Sequence, residues 1–354
     1  MLVGLPWLVW RGPYVLDGSH LDDDELKKGS AALVTGFRTA LVACVAALGA
    51  SVALLYTART YRLTRRGQIT ERFTKALERL GSDQRYVRIG GILALGQIVR
   101  DAPEQVATDA ARVLGHFIRD RAPKAAPAPN SEESESTSPS GGLSELPSEP
   151  DADVQAALTA LTRAESRSYV DPHEFLELRG LHLAGAQLHQ ADLTAAFLSG
   201  TTLTGADLGD ATLTEANLIG VNLAGADLTD ATLTGATLDG VTLTRAILSR
   251  AILTGAKLTD ATLTGAILTN ATLTGANLMR ANLARANLIG VTLTKAHLPE
   301  ATLTEASLDK ATLDEVNLDG ADLGRAKGLP RSLTGLQTDE HTVLPPEWRQ
   351  ITPS

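Results

Sequence analysis

Side chains able to do covalent or metal chemistry are few and scattered in this sequence. The seven histidines are His20, His116, His173, His182, His189, His297 and His341, and no two stand at metal-ligand spacing on one expected helix. Cys44 is the single cysteine and lies in an apolar run, so neither an internal disulfide nor a thiolate site is expected. His182 and His189 beside Asp192 come nearest to a catalytic set, but no phosphate loop, nucleophile elbow or paired-carboxylate signature accompanies them. No catalytic, cofactor-binding or metal-binding residue is assigned, and the chain is not expected to be an enzyme. The chemistry of recognition is better represented. Asp207 and Asp227 recur twenty residues apart, as do Asp210 and Asp230, followed by Arg245, Arg250, Lys257, Arg280 and Arg285. Ile247, Ile252 and Ile267 sit among those basic residues.

These side chains are positioned by a five-residue repeat. Leucine stands at 183, 188, 193 and every fifth position to 323, and two residues before each leucine, Leu183 with its Leu181 excepted, is a small residue (Ala, Thr or Val), usually Ala. A helix gathers residues three and four apart on one face, and a strand gathers residues two apart. Apolar spacings of two and then three without end fit neither. They fit a chain that makes a short extended side, turns and repeats, with the small residue and the leucine both pointing inward. Four sides make a square coil of twenty residues, and coils stack at strand spacing, about 4.8 Å, into a rod roughly 34 Å long. Gly205, Gly220, Gly235, Gly265 and Gly275 fall at the corners, where a positive φ suits glycine. Residues twenty apart then share a face. Asp207, Asp210, Asp227 and Asp230 form an acidic patch, and Arg245, Ile247, Arg250, Ile252 and Ile267 form a candidate partner contact.

Units such as Ala-Asp-Leu-Thr-Asp over 181–326 resemble the pentapeptide repeat family, whose motif is A(D/N)LXX. The resemblance implies a mainly β fold, a right-handed quadrilateral β-helix of about seven coils. Two departures stand out: Thr precedes the leucine ten times, and no unit has a central Phe. The position before the leucine faces outward, where Thr favours extended chain, so neither departure threatens the fold.

The remaining chain divides by composition. Residues 1–10, with Trp7 and Trp10, are apolar but too short to span a bilayer, and read as an interfacial anchor or as the tail of a first membrane helix. Residues 11–30 are polar and read as a loop closing an N-terminal segment, 1–30. Thr39 to Tyr56 carries no charge, and a transmembrane helix is expected over 31–58. Arg59, Arg62, Arg65, Arg66, Arg72 and Lys75 follow it and place everything C-terminal on the cytoplasmic side. Three soluble helices are expected over 67–121, where VRIGGILALGQIVRD resembles a HEAT-type hairpin. The module after a membrane helix resembles one in actinobacterial membrane-linked pentapeptide repeat proteins. It is expected to pack on itself, on a partner copy or on the membrane. Residues 122–151, rich in Ser, Glu and Pro, read as a disordered linker that lets the rod float. Caps are expected at 152–180 and 327–354, because an open β-helix exposes its axis and strand edges.

Net charge is −9, from 41 acidic and 32 basic residues, so direct nucleic acid binding is not expected. The function that follows is a membrane-tethered, non-enzymatic scaffold. Its rod meets an unidentified protein partner or a second copy of itself. The alternative, which the family resemblance implies, is a DNA mimic that binds a topoisomerase as gyrase-protecting members do.

Overall fold

The computed structural model describes residues 23–125, 146–167, 170–171, 174–328 and 330–348. The anchor at 1–10, the centre of the linker and the end of the tail therefore lie outside the described residues. The chain forms two compact units, 1–71 and 72–354.

The first unit is built on α1 (Asp23–Leu80), one helix of 58 residues whose last turns belong to the second unit. This corrects two expectations: 23–30 is helix rather than loop, and no break separates the apolar stretch from the first of the helices expected over 67–121. The reason is local. No proline lies between Pro13 and Pro103 to break the helix. The apolar stretch has no protein cover, and Leu54 and Leu55 are each 71% exposed. By length and composition this helix is able to cross a membrane.

In the second unit α2 (Arg85–Asp101), α3 (Glu104–Arg121), α4 (Ala152–Thr162) and the short α5 (Ala164–Arg167) pack together, and the end of α1 lies against α2. Ile92, Leu95, Leu114, Ile118, Val154 and Leu158 form their core. Two glycines set the spacing. A Cβ on Gly91 would lie 2.8 Å from both Ala76 O and Leu80 N, and one on Gly96 would lie 2.9 Å from Ala160 Cβ. The module therefore does not pack only on itself, on a partner or on a membrane; it sits on the first coil of the rod. Lys124 pairs with Leu181, and the His182 N–H donates to Pro123 O at 2.7 Å. The Gln155 amide of α4 donates to Gln187 O at 2.7 Å and accepts from Gln187 N at 3.0 Å. The cap thus recruits α2 and α3 as well as the expected 152–180, because an open coil end needs more cover than two short helices provide.

From Glu177 to Val343, four ladders of parallel bridges link each outward residue to the one a coil later, as in Thr242–Thr262 and Ile247–Ile267. All the leucines of the register are at most 2% exposed. One unit, 281–285, shows how the backbone is satisfied. Ala281 N closes a turn on Leu278 O, Asn282 N donates to the preceding coil at Ala261 O, and Leu283 N and Arg285 N donate to the next at Thr302 O and Thr304 O. The fifth donor, Ala284 N, reaches the side-chain oxygen of Asn282 at 3.0 Å. An Asx side chain before the leucine thus caps the one N–H that the coils leave free. From Gly180 to Gly320 every fifth residue has φ between 54° and 68°, as the third residue of a type II turn requires. After Ala326 the period ends, and Trp348 folds back fully buried with its Nε1–H on Gly328 O at 3.1 Å.

Candidate interaction surface of the rod

Each side of the coil projects two side chains outward, one on either side of its leucine, and each corner projects its left-handed residue. The ladders place Ile247 and Ile267 in one column with Asp207, Asp227, Asn287 and Ser307. Ile252 belongs to the next side, between Thr232 and Thr272, so the five residues expected to form one contact spread over two sides of the rod. Ile252 and Ile267 are exposed and Ile247 is half-buried. Arg245 and Arg250 occupy corners with φ of 57° and 60°.

The corner charges are organised by the twenty-residue period. Arg250 grips Asp230 of the preceding coil through Nε to Oδ1 at 2.7 Å and through Nη2 to Oδ2. Arg280 does the same to Asp260, with both contacts at 2.7 Å. Arg285 meets Glu305 at 3.0 Å and Lys295 meets Glu315 at 3.7 Å. Hydrogen bonds from Arg250 and Arg280, with their charge, hold the Asp230 and Asp260 carboxyls below the usual aspartate pKa. The basic middle of the rod is therefore largely neutralised by its own acids, and Arg250 is tied to the acidic patch rather than standing apart from it. Asp207 and Asp227 have structural work as well, accepting from Gly209 N at 3.0 Å and Thr229 N at 2.9 Å.

The tempting His182, His189 and Asp192 set does not assemble. His182 is buried, with Nε2 2.8 Å from Pro147 O. His189 lies 3.6 Å from Asp207 and 3.7 Å from Asp210, while Asp192 caps its own turn at Thr194 N. Among the described residues no three His, Cys, Asp or Glu side chains converge as metal ligands would.

Two features of the capped end carried no periodic signal in the sequence. Asp153, fully buried, accepts from Arg88 Nε at 2.9 Å and lies 3.5 Å from Arg121. Burial raises its pKa, but the hydrogen bond and charge of Arg88, then the charge of Arg121, outweigh burial and hold it low. A cavity of about 50 Å³ lies nearby, lined by Val99, Gly115, Leu161, Ser166 and Phe175, with room for a few waters. The buried hydroxyl of Ser166 faces it without a protein partner.

Comparison with known proteins agrees with this geometry. The family model described as pentapeptide repeats matches in eight copies over 177–210, 206–245, 246–285, 256–294 and 286–325. No curated protein sequence matches significantly. Among solved structures, the chain is similar to HetL, a pentapeptide repeat protein involved in heterocyst differentiation regulation from the cyanobacterium Nostoc sp. strain PCC 7120. That match has 30% identity over 46% of this chain and 84% of that one, with a TM-score of 0.27. A second pentapeptide repeat protein of Nostoc PCC 7120 has 31% identity over 39% of this chain and 84% of that one, TM-score 0.15. QnrB1, a plasmid-mediated fluoroquinolone resistance protein, has 18% identity over 47% and 92%, TM-score 0.31. The eight-copy match, falling on the same leucine register that builds the stacked coils, shows that the chain belongs to the pentapeptide repeat family, whose solenoid is a right-handed β-helix.

Proposed function

We propose that the protein is a membrane-tethered, non-enzymatic scaffold whose cytoplasmic β-helix presents flat patterned sides to a protein partner. The observation that carries this reading is the uncovered stretch Thr39–Tyr56 in α1, the same helix whose end packs into the cap of the rod. An apolar surface of that length without protein cover is what a bilayer stabilises. The basic residues from Arg59 to Lys75 then set the rod on the cytoplasmic side. The contact is Ile247, Ile252 and Ile267, with Arg245 beside them. Burying one isoleucine contributes about 1.5–3 kcal/mol, enough for three to anchor an interface. The test has two arms. A reporter fused after Ser354 should be cytoplasmic, and proximity labelling from the intact protein should lose its main target when the three isoleucines become Thr. A rod cut by protease added to intact cells, or unchanged labelling by the triple variant, refutes the corresponding half.

A second reading, a DNA mimic that engages a topoisomerase, draws on the stacked Asp207, Asp227 and Asp210, Asp230. Arg250 and Arg280 weigh against it, since each interrupts an acidic row of the kind mimicry requires, and Arg285 neutralises Glu305.

A further inference from the structure

One side of the rod is complementary to itself. Its first outward column reads Gln187, Asp207, Asp227, Ile247, Ile267, Asn287, Ser307 and Lys327, one residue per coil, and its second runs from Gly209 through Thr229, Ser249, Thr269 and Ile289 to Asp309. Asp210, Asp230, Arg250, Asn270, Gly290 and Lys310 line one of its edges, and Gly205, Gly225, Arg245, Gly265, Arg285 and Glu305 line the other. Apolar surface lies in the middle, acid toward the N-terminal end, and Lys310 and Lys327 toward the other end. Lys310 has no salt bridge among the described residues.

We propose that this side pairs with the same side of a second copy, the two rods running antiparallel about a two-fold axis between the coils of Ile247 and Ile267. The proposal rests on the scaffold reading and names its partner. A two-fold axis in the plane of contact reverses the order of coils and keeps each edge facing its own kind. Ile247 then meets the partner copy's equivalent of Ile267, and Asp210 meets the equivalent of Lys310. Asp227 falls opposite Asn287 and beside Arg285. The bulky corners meet small ones: Arg245 falls opposite Gly265, Glu305 opposite Gly205, Arg285 opposite Gly225, and Asp230 opposite Gly290. No like charges oppose one another in this register. A parallel pairing, about an axis along the rods, would swap the edges and set Arg250 on the partner copy's equivalent of Arg245, so charge selects the direction as well as the partner. Asp210 and Lys310 are five coils apart in one chain, about 24 Å at strand spacing. A contact between them can arise only across two copies.

The experiment uses the full chain in detergent micelles. Sedimentation velocity should show a dimer that Lys310→Asp weakens at least tenfold and that Asp210→Lys with Lys310→Asp restores. Circular dichroism should show all variants equally folded. In a Cys44→Ser background, Asp210→Cys with Lys310→Cys should give a covalent dimer with a bis-maleimide of about 10 Å reach, the distance between facing sheets. Neither single-cysteine chain should crosslink at that yield. A monomeric wild type, a double charge reversal that fails to restore pairing, or single-cysteine chains that crosslink equally well would overturn the proposal. If the wild type is monomeric yet the isoleucines are still needed to label another protein, self-pairing falls and the scaffold reading stands. If neither pairing nor labelling depends on them, both fall.

Discussion

Arg88 and Asp153, 65 residues apart in sequence, close the joint between the helical module and the rod, with Arg88 Nε and Nη2 both reaching Asp153 Oδ2 at 2.9 and 2.8 Å. The same guanidinium donates through Nη1 to Ser82 O and Asp83 O, so one side chain ties the α1–α2 turn to α4. A buried pair of this kind says less about net stability than about geometry, because removing one partner strands the other.

Asp153→Asn should therefore destabilise the capped rod by about 3–5 kcal/mol, since the Arg88 side chain is only 11% exposed and would keep its charge without a counterion. Urea unfolding of the full chain in detergent, followed by circular dichroism, measures the loss. A change below about 0.5 kcal/mol, the usual range for a surface substitution, would show that the joint contributes little.

The same carboxylate predicts a pH response. Its folded pKa lies below the ordinary value, so its contribution is present above the unfolded pKa of about 3.9 and is lost as pH falls through the lower folded value. Unfolding midpoints of the wild type should fall below about pH 4 more steeply than those of Asp153→Asn. Parallel curves would remove Asp153 from the acid response.

The inward register is tested by neighbours. Leu263 is fully buried and Thr262 faces outward on the same side. Leu263→Lys should cost several kcal/mol, while Thr262→Lys should stay within about ±0.5 kcal/mol. Equal tolerance of both in thermal melts would mean the leucines do not line the axis.

Adjacent glycines in α2 make a sharper comparison. Gly90 has nothing within 4 Å of an added Cβ, so Gly90→Ala should stabilise by about 0.4–1 kcal/mol through helix propensity. Gly91→Ala meets the α1 backbone at 2.8 Å and should cost about 1–3 kcal/mol. Denaturant midpoints of the two variants must move in opposite directions if α1 crosses α2 as described.

The repeat was readable because its constraint is local and recurs. Two inward residues, an outward one and a turn pair fill each unit, so Leu183 to Leu323 declare the coil, its period of twenty and the stacking of Asp207 on Asp227. The left-handed corners followed from the same count, although sixteen of them are not glycine. The Asx cap that an Asp or Asn before the leucine supplies was not read from the sequence and emerged from the structure. The candidate contact was only partly legible: spacing placed Ile247 over Ile267, but the use of Arg250 on Asp230 depends on side-chain reach across coils.

Nothing periodic marks the joint at the other end. Asp153, Arg88 and Arg121 lie on three helices, and Gly91 and Gly96 matter only because α1 and α4 arrive against α2. Such contacts have no counterpart in local propensity, since the energy that selects them exists only once distant segments have docked. The amino-acid order alone therefore determined a leucine-filled square coil and an apolar helix long enough for a bilayer. Tertiary packing decided that the intervening helices close the rod's open end, because only there do the first coil's apolar axis and unpaired edges find cover.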